Sequence, residues 1–197
     1  MMDNNKWKAK DFITLGIYNV IFIVTMFVAA VTNLTPYTYL FYPFTGALFS
    51  GFVFLMTITK IPKKGSIVLM SLVTIVYLSA TGVQGMISAA SLLVFAVIAE
   101  VILGSSRKNS RRIRLSYVVF TCWMSVGGEF RIFVFPDSYF AEALQSGLSP
   151  SYVEILRGMS SWGWWVASIA AGLMGAFLGM LLAETMMKKH LQRAGVV

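Results

Sequence analysis

Apolar runs of about 20 residues, separated by clusters of Lys and Arg, recur along this chain and restrict its fold more than any other feature. Runs of that length span the hydrocarbon of a bilayer as helices, whereas a membrane-barrel strand needs only about 10 residues of alternating character. Inside lipid every backbone N–H and C=O must be satisfied by the protein, and a helix does so within one segment. Composition agrees: 57% of the residues are hydrophobic and 12% charged, about half the charged share of a soluble domain. The chain is therefore expected to be a single all-α integral membrane domain over residues 1–197.

Six spans are expected, at about 12–31, 39–58, 66–81, 86–104, 115–135 and 162–187. The first is too long for a signal-peptide core and is not followed by a small-residue cleavage site, so it is read as retained. Asn33-Leu34-Thr35-Pro36 turns the chain back, and Pro43 is expected to kink the second helix. The apolar stretch from Ser66 to Gly104 exceeds one crossing and is divided at Gly82-Val83-Gln84-Gly85. That division leaves the third helix short, with a re-entrant hairpin as its alternative.

The basic residues set the orientation. Lys6, Lys8 and Lys10 precede the first span; Lys60, Lys63 and Lys64 follow the second; Arg107, Lys108, Arg111, Arg112 and Arg114 precede the fifth; Lys188, Lys189 and Arg193 follow the sixth. Six helices with both termini cytoplasmic put all of these on one side, as the positive-inside rule requires, and leave only Arg131 and Arg157 elsewhere. The net charge of +8 is thus topogenic, and no nucleic-acid partner is implied. Pro136 to about Ser161 becomes the one long outer connection, between helices 5 and 6. It is read as an ordered lid with a short helix opened by Ser151-Tyr152-Val153-Glu154, or else as an amphipathic loop on the membrane surface.

Gly127-Gly128-Glu129-Phe130-Arg131 interrupts the fifth span. A carboxylate and a guanidinium at membrane depth are each disfavoured by about 2.5–3.5 kcal/mol and face a protein interior or a wet cavity. Two apart on a helix they point to opposite sides, so each needs its own partner. The glycines weaken the helix and let it unwind to present backbone groups to a solute; the alternative is a charge pair snorkelling at the outer rim, with the glycines serving close packing. Gln84 and Asp137 lie at the same inferred depth, where aromatic residues also gather: Tyr37, Tyr39, Phe41 and Tyr42; Phe133, Phe135, Tyr139 and Phe140; Trp162, Trp164 and Trp165. These form either an interfacial aromatic belt or a pocket anchored by Glu129, Arg131, Gln84 and Asp137, suited to a small, partly flat, polar or anionic solute.

Chemistry motifs are missing. The chain has no His-Glu-x-x-His, Gly-x-Ser-x-Gly or P-loop, its one His190 lies in the basic tail, and a lone Cys122 excludes an internal disulfide or a multi-Cys metal site. It is expected to be no enzyme and to carry no cofactor or metal; any ATP hydrolysis would belong to another chain. Small residues at Ala167, Ala171, Gly175 and Gly179, spaced by four, are read as one close-packing face of the last helix. Gly46/Ser50 and Ala47/Gly51 repeat the pattern in the second helix, so dense internal packing is the expected use, with an external partner as the alternative.

This combination of length, six spans, inner termini, aromatic outer end and structured loop before the last helix resembles the substrate-binding S components of energy-coupling-factor (ECF) transporters. Trp7-Lys8-Ala9-Lys10-Asp11-Phe12-Ile13-Thr14-Leu15-Gly16-Ile17-Tyr18, Tyr42-Pro43 and Gly127-Gly128-Glu129 resemble the Trep_Strep (MptD-like) group in particular. The resemblance implies a multi-pass cell-membrane subunit of an ABC-type importer. It would bind a vitamin-like or haem-like micronutrient outside, dock onto a transmembrane coupling subunit driven by two ATPase subunits, and topple in the bilayer to release the solute inside. Many family members dock through Ala-x-x-x-Ala in the first helix; here that region offers only Gly16-x-x-x-Val20 and the pair Ala29-Ala30. With no outer His, haem iron would need Tyr or Met, and a bare metal ion would find no cluster of His or Asp. Two other readings remain: a stand-alone secondary transporter or channel using Glu129 as a proton-coupled carboxylate, and a structural assembly protein whose small-residue stripes bind partners.

Overall fold

A computed structural model describes residues 6–104, 107 and 109–193, with side chains described up to Lys188. Lys108 and the side chains of Lys189, His190 and Arg193 lie outside the described residues. Capping explains most helix ends. Helix α1 (Ala9–Ala29) opens where the Lys8 backbone N–H donates to the Asp11 carboxylate at 2.7 Å, and it tightens into a 3-10 turn over Ala30–Leu34. A second 3-10 turn, Tyr39–Phe41, leads into α2 (Tyr42–Lys60). Pro43 occupies the first turn of α2, where a missing N–H leaves nothing unsatisfied, so it starts the helix rather than kinking it. Helices α3 (Ser66–Ser79) and α4 (Gly82–Leu103) part at Ala80-Thr81, with Gly82 at φ +86°, so Gln84 belongs to the first turn of α4 and not to a link.

Helix α5 (Ser110–Val126) is capped by the Asn109 side chain, which accepts from Arg111 N–H at 3.0 Å and Arg112 N–H at 3.3 Å. Arg111, Arg112 and Arg114 are therefore helical. The expected fifth span is two pieces: α5 stops before Gly127, and a short α6 (Phe130–Val134) follows. Helices α7 (Pro136–Gln145) and α8 (Pro150–Gly158) form the connection to α9 (Trp162–Arg193). The cap of α8 is Ser149, whose Oγ accepts from Tyr152 N–H at 3.3 Å; Ser151 lies inside the first turn.

No strand occurs among the described residues. Four helical stretches are long and apolar enough to cross a membrane: Ala9–Leu34, Tyr39–Lys60, Gly82–Leu103 and Trp162–Lys188. Helix α3 is apolar but has 14 residues, and α5 carries three Arg in its first turn and a half. Helix α2 is the centre of the bundle: 56% of its apolar window is buried, against 28% for α1. Phe22, Phe54, Tyr117 and Phe120 fill the core around it, and the Tyr117 hydroxyl donates to the Ala47 carbonyl.

Helices α2 and α9 approach closely through their backbones. A Cβ on Gly51 would stand 2.6 Å from the Gly179 carbonyl oxygen, and one on Gly175 would overlap the Phe44 carbonyl. The buried face of α9 runs through Ser168, Gly172, Gly175, Ala176, Gly179 and Ala183; Ala171 is half-buried at its edge and Ala167 is exposed. A strict four-residue spacing rotates by about 40° per step on a 3.6-residue helix, so the four small residues expected on one face cannot all stay there. On α1, Ala29 is buried and Ala30 half-buried, while Gly16 sits on an exposed apolar face with Phe12, Ile13 and Ile17.

Ion pairs gather the basic segments at one end. Lys63 holds Asp11 and the Lys6 carbonyl, and Arg107 holds Glu100, whose oxygens also accept from Gly65 N–H (2.8 Å) and Ile67 N–H (3.0 Å). Arg114 grips Glu184 through two bonds of 2.8 and 2.7 Å. At the opposite end α7 and α8 cover the bundle with a small core of their own, formed by Leu40, Ile132, Phe133, Phe140, Val153 and Leu156.

Gly51→Leu is expected to cost about 1–3 kcal/mol through overpacking against backbone that cannot yield. Gly16→Leu, with nothing within 4 Å of its new Cβ and a better helix former inside α1, should leave the thermal unfolding midpoint in detergent equal or higher. Equal midpoints for the two variants would contradict the α2–α9 contact.

Candidate functional site

The last carbonyls of any helix lack intrahelical donors, and in a bilayer water does not replace them. In the last turn of α5 Trp165 of α9 supplies a donor to the Ser125 carbonyl, and Gln84 serves the two glycines that follow the helix. The two Nε2–H groups of Gln84 serve the carbonyls of Gly127 (3.0 Å) and Gly128 (2.7 Å), with Ser88 Oγ 3.2 Å from the same nitrogen. Gly127 lies so close to α4 that a Cβ there would overlap Ser91. The break is therefore clamped to α4 and sends Glu129 and Arg131 in different directions.

Glu129 turns inward and is 2% exposed. Its Oε2 accepts from Ser168 Oγ of α9 at 2.6 Å, while its Oε1 is buried without a hydrogen-bond partner among the described residues. A buried carboxylate oxygen left unmet is costly, and such exceptions call for an explanation at the site where they occur. The carboxylate lies within electrostatic reach of the Tyr39 and Tyr139 phenols, which meet each other at 3.1 Å. Burial pushes Tyr139 above its ordinary pKa and Tyr152, in α8, up to about 12, so both phenols are neutral at pH 7.

Arg131 is 6% exposed and pairs with Glu142 of α7 at 2.6 Å, its guanidinium 5.8 Å from the centre of the Tyr139 ring. Glu129, at the non-helical start of α6, and Arg131, within it, thus have separate partners. Trp165 stacks on Phe133 (centroids 5.3 Å apart, planes 10° apart) and donates its Nε1–H to the Ser125 carbonyl at 2.8 Å. Tyr152 anchors α8 by donating to the Asn33 carbonyl at 2.7 Å.

The structure therefore brings Gln84, Glu129, Arg131, Tyr39 and Trp165 together in one layer under α7 and α8. Asp137 stays outside it, exposed and paired with Arg157. Tyr37, Trp162 and Trp164 are exposed, as an interfacial belt would be. Tyr42 faces a separate cavity bounded by α1 and α3, where its hydroxyl donates to the Met26 sulfur at 3.6 Å. Sequence reasoning missed Ser168, the partner of Glu129; its only signal was a hydroxyl within the apolar last helix, one turn after Trp164. Among the described residues no group of three or more His, Cys, Asp or Glu is placed to hold a metal ion.

A family model described as a hypothetical bacterial integral membrane protein (Trep_Strep) matches residues 9–193. No curated protein and no solved structure matches the chain.

Glu142→Ala removes the partner of a buried guanidinium, yet Glu142 itself is half-exposed. Its cost should fall between the ~1 kcal/mol of an exposed pair and the ~3 kcal/mol or more of a buried one. Hydrogen exchange should quicken over residues 136–145 and stay unchanged in α5 and α9; unchanged exchange in α7 would show that Arg131 does not hold it.

Proposed function

The chain belongs to the Trep_Strep family of bacterial integral membrane proteins, and from that premise we propose that it is the solute-binding subunit of an ATP-driven, ECF-type importer. The observation that carries the reading is the Glu129 carboxylate, buried with one oxygen on Ser168 and the other unmet, beneath two helices that close over it. A solute presenting a hydrogen-bond donor or a cationic group would satisfy that oxygen, with Tyr39, Tyr139 and Trp165 as aromatic neighbours. The carboxylate would then be neither idle nor strained.

In this reading the four long apolar helices are joined by the shorter α3 and α5 as six crossings of the cell membrane. Both termini and the three ion-pair clusters face the cytoplasm, and α7 and α8 form the outer lid. The gathering of Lys63, Arg107 and Arg114 at one end and of the Glu129 layer at the other supports this orientation. The lid is tied by contacts that can be broken singly: Arg131–Glu142, Tyr39–Tyr139 and Tyr152–Asn33. Lifting it exposes Glu129 without disturbing the α2–α9 contact. The protein contributes binding alone; a coupling subunit and two ATPases supply the energy, and the exposed apolar face of α1 around Gly16 is available to them. The solute in this reading is a small vitamin-like or haem-like molecule.

Gentle extraction from the native membrane followed by native mass spectrometry tests this. Wild-type chain should carry a defined small molecule and ATPase-containing companions, and Glu129→Gln should lose the small molecule while keeping the companions. Retention of the molecule by Glu129→Gln would remove the carboxylate from the site. A chain without companions that moves solute by itself in liposomes would favour a secondary transporter.

A further inference from the structure

Seven buried side-chain polar atoms lack a hydrogen-bond partner among the described residues, and three of them belong to residues lining one cavity that Glu129 does not line. The cavity measures about 160 Å³ and is lined by residues of α1 and α3 together with Asn33, Tyr42 of α2 and Trp123 of α5. The three unmet atoms are Trp123 Nε1, Thr74 Oγ1 and Asn33 Oδ1. Trp123 is 2% and Thr74 4% exposed, so solvent does not reach them. Phe27 and Tyr77, both exposed, meet edge to face at 6.0 Å and flank the open side.

We propose that this cavity is a second binding site, separate from the Glu129 layer, for a neutral single-ring molecule bearing an amide. Each part of that description has its own cause. No charged side chain lines the cavity, and an ion buried there without a counter-ion would be strongly disfavoured, so the ligand is neutral. An apolar cavity of about 150 Å³ accommodates benzene, so this volume admits one ring with a small substituent and excludes a tetrapyrrole. Aromatic rings from Phe27, Tyr42, Tyr77 and Trp123 supply faces and edges for a ring to pack on. Trp123 Nε1 is only a donor and Asn33 Oδ1 only an acceptor, whereas Thr74 Oγ1 is both. A primary amide carries the matching acceptor and donor on one edge.

Asn33 also links the site to the lid, since its backbone carbonyl takes the Tyr152 hydroxyl while its side-chain oxygen belongs to the cavity lining. A molecule bound to Asn33 Oδ1 would therefore stiffen the turn on which α8 rests.

The probe is benzamide, titrated calorimetrically into the full chain in lipid nanodiscs, with benzoate as an anion of the same shape and toluene as a ring without polar atoms. Benzamide should bind saturably, and benzoate and toluene at least about tenfold more weakly, the effect of losing one or two hydrogen bonds at buried groups. Thr74→Val deletes a hydroxyl that has no partner to lose, so it should weaken benzamide by about tenfold without lowering thermal stability. Trp123→Phe keeps the ring, removes the donor and should weaken it similarly, while Ala30→Phe, which fills the cavity, should abolish binding. Glu129→Gln should leave benzamide binding unchanged. Absence of saturable binding, equal binding of benzoate or toluene, indifference to Thr74→Val, or loss of binding in Glu129→Gln would each overturn the proposal.

Discussion

The interruption of α5 at Gly127-Gly128 is the constraint from which the half of the structure beneath α7 and α8 follows. A helix that stops within an apolar bundle frees carbonyls that no water can satisfy; Trp165 takes up that of Ser125, and Gln84 those of the two glycines that follow. That requirement fixes the first turn of α4 against the end of α5, with Gly127 too close to Ser91 for any side chain. Once the break is held, the next residues are committed: Glu129 goes under the lid to Ser168, and Arg131 goes out to Glu142. The lid is thus secured by the same five-residue segment that buries the carboxylate beneath it.

The two ends of the bundle use charge differently. At the basic end every described acidic side chain is matched: Asp11 by Lys63, Glu100 by Arg107, Glu184 by Arg114. These pairs bind the start of α1 to the α2–α3 turn, α3 to α4, and α5 to α9, making that end a closed frame. At the other end Glu142 and Asp137 are paired with Arg131 and Arg157, but Glu129 has a hydroxyl for one oxygen and, among the described residues, no hydrogen-bond partner for the other. A frame fixed at one end and polar groups left unmet at the other suit a protein that holds a solute under a movable cover.

Much of the fold was legible in the sequence because the bilayer writes it in run lengths and basic clusters. Glu129 and Arg131 have separate partners, as expected, but the cause is the break before α6, where Glu129 is the non-helical N-cap, and not the two-residue spacing on a continuous helix. Pro43 was expected to kink α2 because hydropathy does not reveal the 3-10 turn at Tyr39–Phe41, which moves the start of α2 to Tyr42 and puts the proline in its first turn. The small-residue stripe of α9 was half right, since Gly175 and Gly179 pack on α2 while Ala167 has rotated to the surface. Ser168 and Glu142 lie 39 and 11 residues from the charges they meet, and no local pattern pairs them. The cavity near Trp123 was not legible at all: Thr74 and Trp123 read as ordinary residues of apolar helices until three chain segments bring their unmet atoms together.

Glu129 beneath α7 and α8 is the centre of this account, and a cryo-electron microscopy map of the chain purified with its solute and companion subunits tests it most directly. Density for a small molecule within hydrogen-bond distance of Glu129 Oε1, bounded by Tyr39 and Tyr139, is the predicted result. A solute seated elsewhere, with the Glu129 layer closed as described and α7 unmoved, would contradict it.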